Sequence, residues 1–306
     1  MRSAPAKVPA SKSELGARGA SKVTRTARSA SRLRRMLDEL AQMEVRPVSN
    51  SELATLCDLG ARYGVESLSR SRRRLSSLTF SEKTKQSLRI HLRTELIRIT
   101  RPCFDLDRRS YQLARQALNP ITFTSTGRPG IVTGVPPDLQ PVRLLQRFPV
   151  LGELWSLMIA QWQRHMLEVF ERAASDRALI SRTFFDGTQP SSITDIRPGL
   201  SEPHAGGRSV VRLRFGDHSV IYKPRTGTGE WEWTRMLEWM NAHSFEHELK
   251  APRVLRRKTY CWMQDILPTP CQNKAAVSSF FQRIGALAAL AYLLNAVDCH
   301  RENLIA

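Results

Sequence analysis

Three short stretches hold side chains of types that move phosphoryl groups or protons. Asp298, His300 and Asn303 fall close together as D-x-H-x-x-N, followed by Leu304-Ile305. Phosphoryl transfer needs a group that orients or deprotonates the attacking hydroxyl, a group that stabilises charge on the phosphoryl, and an oxygen ligand for Mg²⁺. That loop supplies all three types; the plainer alternative is a polar helix end with a solvated loop. Lys223 lies in Tyr222-Lys223-Pro224-Arg225. A Lys on a rigid strand can hold nucleotide α- and β-phosphates as a fixed point charge, and Pro224 ends the strand behind it. The alternative is a solvated Lys on an edge strand. Glu202-Pro203-His204 precedes Ala205-Gly206-Gly207-Arg208. A carboxylate beside an imidazole can fix its tautomer and make a general base, while the glycines permit a tight turn. An ordinary surface turn reads the same way. His165, inside a helical stretch, reads as structural. His243 and His247 lie four apart with Glu246 between them, and no supporting ligand set for a metal is evident.

The elements that must position these residues follow from periodicity. After Pro198 the apolar period becomes two. Residues 210–215 and 219–222 read as strands joined at Gly216-Asp217-His218. A helix near 230–243 follows, then strands at 253–256 and 260–266. A last helix covers about 275–296, with Phe280, Ile284, Leu287, Ala291 and Leu294 on one face. Lys223 thus ends a strand, and Asp298 follows the last helix. The order strand, strand, helix, strand, strand, helix, polar loop is that of a kinase-like small lobe leading into a catalytic loop. Upstream, residues 33–120 read as helices. Ser49-Asn50-Ser51-Glu52 would cap a helix through Tyr63, and a second helix from about Ser81 to Ile99 sets Leu88, Leu92 and Leu96 on one face. Pro and Gly in residues 119–142 mark a loop or linker. Trp155, Met158, Ile159, Trp162, Met166, Val169, Phe170 and Ala173 form one broad stripe, read as a packed core face.

Composition sets bounds. The 306 residues carry 47 Lys+Arg against 28 Asp+Glu, a net charge of +19. Such a balance favours polyanionic partners without choosing among them. Residues 1–36 hold ten of the basic residues and one acid, Glu14, and read as a disordered basic tail. The five cysteines, Cys57, Cys103, Cys261, Cys271 and Cys299, are widely spaced with no CxxC. This speaks against a disulfide framework or a zinc site and for a reducing cytoplasm. The apolar run from Ile284 to Val297 falls short of a bilayer span, and no signal peptide is evident.

In this order the three stretches resemble the dehydratase domain of class II lanthipeptide synthetases, the LanM-type lantibiotic enzymes. Phe148-Pro149-Val150-Leu151, Ala174-Ser175-Asp176, Glu202 through Val210, Tyr222-Lys223-Pro224-Arg225, Tyr260 through Gln264, and Arg283-Ile284-Gly285-Ala286-Leu287 through Ala306 carry the resemblance. The resemblance runs from about Arg101-Pro102-Cys103-Phe104 to the last residue and, with the helical N-terminal region over 37–118, implies an α+β fold whose lipid-kinase-like dehydratase portion covers 143–306, ending at the catalytic loop. It implies ATP and Mg²⁺, with Lys223 on the phosphates, Asp298 and His300 in phosphoryl transfer, and Asn303 on Mg²⁺. The partner implied is a precursor peptide, leader and core. Its Ser and Thr would be phosphorylated, then lose phosphate to give dehydroalanine and dehydrobutyrine. The elimination pair maps to Glu202 and His204. Position 202 is usually Asp; the extra methylene moves the carboxylate by about a bond length, and displacement on that scale can slow a reaction about 10²-fold. The family's second metal-binding Asp, the rest of its large lobe and its zinc cyclase have no counterpart through Ala306. This chain alone is expected neither to dehydrate nor to cyclise, and the last helix is expected to expose apolar surface.

Three other readings use the same residues. One is a remnant of another lipid- or small-molecule-kinase-like protein, which would have no use for Glu202 and His204 as an elimination pair. Another is a non-catalytic peptide-binding scaffold. The third is a basic nucleic-acid-binding protein, which is not expected because no zinc-finger or RNA-recognition signature occurs.

Overall fold

The computed structural model describes residues 30–46, 48, 51–71, 81–118, 141–189, 192–204, 206–243, 246 and 248–297. The greater part of the basic tail, Ser49 and Asn50, and nearly all of the expected linker lie outside them. The chain divides into two units: residues 1–71 with 89–164, and residues 72–88 with 165–306. Helices and one antiparallel sheet make the α+β class expected.

The first unit is helical. Among its described residues are α1 (residues 30–42), α2 (Glu52–Ser71), most of α3 (Glu82–Leu118), α4 (Pro141–Arg147) and the first part of α5 (Pro149–Ser175). Ser51 caps α2 by accepting from the Ala54 amide at 3.2 Å. The helix does not stop at Tyr63 but continues to Ser71. It runs on because its glycines serve close packing. A Cβ at Gly60 would meet Trp155 Cζ3 at 2.3 Å, and one at Gly64 would meet Leu92 Cδ2 at 2.4 Å. Likewise α3 continues beyond Ile99 and through Pro102 to Leu118. Buried Phe104 and the Arg147–Asp107 ion pair at 2.6 Å hold this stretch. The tertiary contacts offset the local penalty of proline inside a helix. Met36, Leu40, Leu96, Trp155 and Ile159 are buried, and Trp155 Nε1 donates to Thr100 Oγ1 at 2.8 Å. Asp58, fully buried, pairs with Arg89, Arg62 and Arg93.

The second unit holds a five-stranded sheet in the order β1-β2-β3-β5-β4: β1 Asp195–Arg197, β2 Val211–Phe215, β3 His218–Lys223, β4 Val254–Arg256 and β5 Cys261–Gln264. Every neighbouring pair is antiparallel. β1 is too short for a period of two to announce it. It is pinned by the first turns of α3: Ser81 donates to Thr194 O at 2.9 Å and Ser87 to Asp195 Oδ1 at 2.8 Å. Val211, Leu213, Val220, Tyr222 and Trp262 are buried with Met166, Val169 and Phe170 from the α5 stripe. Helix α6 (Arg177–Phe184) follows a single turn residue, Asp176. That fully buried carboxylate accepts from Tyr260 Oη at 2.7 Å and Trp262 Nε1 at 2.9 Å, and meets Arg257 at 3.1 Å. Between β3 and β4 lies α7 (Thr228–Ala242).

The last helix, α8 (Lys274–Leu293), has no buried residue, in line with the exposed apolar surface expected of it. It begins ten residues before the apolar run counted in the sequence, because Asn273 caps it on Ala276 N. Among the described residues it is therefore one helix long and apolar enough to cross a membrane, by length and composition alone.

Candidate functional site

The β1–β2 connection is a closed hairpin tip. Beyond the β1–β2 register, Leu200 N donates to Val210 O at 3.0 Å, and His204 and Arg208 exchange two backbone hydrogen bonds of 2.8 Å. Gly206 and Gly207 both have φ of +84°, a conformation L side chains rarely adopt, and so let the chain reverse there. Glu202 and His204 ride on this tip. Both are exposed, and among the described residues no hydrogen bond or ion pair joins their side chains. The structure brings the two residues to one tip but leaves the imidazole without a fixing carboxylate.

Two contacts with α5 hold the base of the tip. Arg208 forms a fork on Glu168, with Nε to Oε2 at 2.9 Å and Nη2 to Oε1 at 2.7 Å. Hydrogen bonding from Arg208 keeps the Glu168 carboxyl below its ordinary range despite partial burial. Beside it, the backbone of Ser209 lies on His165: Nε2 is 2.9 Å from Ser209 O and 3.2 Å from Ser209 N. Burial pushes the His165 imidazole down to about 4, so the ring is neutral at pH 7. Its Nδ1 makes no hydrogen bond among the described residues. The structural role expected for His165 thus has a definite form.

Lys223 ends β3, which lies third in the sheet and is hydrogen-bonded on both sides. It is not an edge-strand lysine. The pairing of Val211 with Tyr222 puts Lys223 level with the start of the hairpin tip, at the same end of the sheet. Its Nζ lies 3.1 Å from Glu230 Oε1, in the first turn of α7, and both groups are largely buried. Arg225 reaches the same oxygen, from Nε at 3.0 Å and Nη2 at 2.5 Å, while remaining 68% exposed. Burial alone would raise the Glu230 carboxyl. Attraction to Lys223, its own backbone amide and Arg225 outweigh that and hold it below the ordinary range. Gly227 makes this arrangement sterically feasible. It adopts φ of +67° at the start of α7, and a Cβ there would lie 2.4 Å from Cys261 Sγ. Cys261 is opposite Lys223 in the sheet, and burial pushes its thiol up to about 11, so it stays protonated. Glu230 was not singled out from the sequence. The signal available was an acid in the first turn of the helix that follows a Lys-Pro-Arg strand end.

Asp298, His300 and Asn303, with Cys299, lie outside the described residues. His247 does too; His243 stacks on Trp239 and shares a 2.7 Å contact with its carbonyl. No group of three or more His, Cys, Asp or Glu placed to hold a metal occurs among the described residues. Chemically, the described end of the sheet offers a buried, countered ammonium, an exposed guanidinium, and an exposed carboxylate and imidazole on a glycine-bearing turn. Such a set suits an anionic, phosphate-bearing ligand.

The lacticin 481/lactococcin biosynthesis protein LcnDR2 of Lactococcus lactis subsp. lactis is 24% identical over 107 residues, which is 32% of this chain. The match spans 12% of that protein's own length. Residues 148–306 match the model of a family described as a domain of unknown function, DUF4135. Because that match takes in more than half of the chain, with the hairpin tip, Lys223 and Glu230 all inside it, the chain belongs to the DUF4135 family.

Proposed function

We propose that this chain is part of a lanthipeptide-modifying dehydratase that uses ATP to phosphorylate Ser and Thr of a precursor peptide, then eliminates the phosphate. The observation that carries the reading is the Lys223–Glu230 ion pair at the end of a central strand. A carboxylate partner aims a partly buried ammonium, and a phosphate-binding lysine needs a defined position. The hairpin tip at the same end of the sheet would carry the elimination pair, Glu202 and His204. The Asp298, His300 and Asn303 loop would serve phosphoryl transfer, with Asn303 on Mg²⁺. The similarity to a protein named for lacticin 481 biosynthesis supports the peptide as partner. Because no hydrogen bond or ion pair joins the Glu202 and His204 side chains among the described residues, the phosphate-holding half of this reading has the better support.

The test is calorimetric titration of the protein with MgATP. Wild type should bind, and Lys223→Ala should weaken binding by about 10- to 100-fold, as removal of a charge-assisted contact worth about 1.5–3 kcal/mol implies. A wild-type chain that takes up no MgATP would sink the reading. Co-expression with a candidate precursor peptide then reads the chemistry by mass, added phosphate marking transfer and lost water elimination; this chain alone is expected to leave the peptide undehydrated.

A further inference from the structure

We infer that Arg225 is a second phosphate-binding group, forming with Lys223 a two-cation clamp for the polyphosphate of a nucleotide. The inference rests on the nucleotide-binding reading above and extends it to a residue which that reading leaves without a role.

Charge makes the first argument. Lys223 with Glu230 alone is neutral. Arg225 on the same carboxylate oxygen leaves the trio with one net positive charge. A single oxygen receives three N–H contacts, two of them from Arg225. Donor capacity makes the second. A guanidinium has five N–H groups and an ammonium three, so Glu230 uses a minority of them. No other side-chain partner of either cation occurs among the described residues. The planar fork of arginine matches two phosphate oxygens at once, whereas lysine offers a point charge. Exposure makes the third. Arg225 is 68% exposed, and so exposed a partner adds little to the stability of the ion pair, so Arg225 is poorly explained as a structural brace. Placement makes the fourth. Pro224 and Gly227 bracket Arg225 in a short turn that starts at the strand end, so its backbone is fixed relative to Lys223. Glu230 is then the internal counter-ion that keeps the two cations together before a ligand arrives.

The experiment titrates wild type, Arg225→Ala, Arg225→Lys and Lys223→Ala with MgATP, tripolyphosphate and adenosine at low and high salt. Thermal melts confirm that each variant is folded. Arg225→Ala should weaken MgATP and tripolyphosphate about five- to tenfold, most at low salt, with adenosine unchanged. Arg225→Lys should recover part of the loss, because the charge returns without the fork. Arg225→Ala binding like wild type while Lys223→Ala fails would overturn the clamp and leave the nucleotide reading intact. Equal weakening of adenosine would also overturn it, by making Arg225 a structural residue. Tripolyphosphate bound without MgATP would keep the clamp and overturn the nucleotide as its source. No binding of either anion by folded wild type would remove both the clamp and the reading beneath it.

Discussion

At the scale of single residues, His165 gives the sharpest consequence. Its imidazole is 2% exposed and titrates near 4 in the folded chain, against about 6.5 unfolded. The folded value is the lower one, so the unfolded chain binds the proton more readily. Stability is therefore fully present above about pH 6.5 and is lost as pH falls towards 4, by a few kcal/mol in order of magnitude. Urea denaturation over that range should show the loss, and His165→Gln should flatten the slope, since its amide cannot take up a proton there. A wild-type curve level from pH 7 to 4 would contradict the assignment. None of this could be read from the sequence. His165 lies on α5, while its partner Ser209 and the neighbouring Tyr222 ring lie far from it in the chain. The same holds for the Arg208–Glu168 fork and for the triple contact of Asp176. Lys223 was legible because its strand and the proline after it are local. Its partner Glu230 was only half legible, since an acid in a first helical turn has ordinary reasons to be there.

Elements were more readable than contacts. The strands at β2 and β3 and the helices α7 and α8 follow from an apolar period that switches from two to 3.6, which is a local property. β1 escaped because three residues carry no period. The extents of α2 and α3 escaped because local capping and periodicity do not carry the packing against neighbours that extends them through Gly64 and Pro102. At this scale the turn into α7 makes a prediction. Gly227→Ala would combine a left-handed backbone, costing about 1–2 kcal/mol, with a methyl group forced onto buried Cys261. A loss of about 2–4 kcal/mol is expected in chemical denaturation. Because Cys261 lies opposite Lys223, MgATP affinity should fall in the fraction that stays folded. Gly229→Ala, with open space around its Cβ, should do neither and serves as the control.

Across the whole molecule, α8 stands apart. Phe281 is 65% exposed and Tyr292 86%, on a helix with no buried residue. Apolar surface of this kind binds hydrophobic dyes and promotes self-association. Replacing Phe281 and Tyr292 by Ser should lower dye fluorescence and aggregation while changing folding stability by no more than about 0.5 kcal/mol. A large loss of stability instead would mean that these side chains are packed in solution.

The paired glycines of α2 have one more consequence. Gly60 and Gly64, a turn apart, form a notch in which Trp155 and Leu92 sit almost against the main chain. A slide of one turn in one direction would set Leu56 against Trp155, and in the other Leu68 against Leu92. Neither leucine fits where a methyl group already collides. The helix is thereby indexed like a key cut for one depth: it seats in a single register, and misaligned states are rejected by shape rather than by any added attraction.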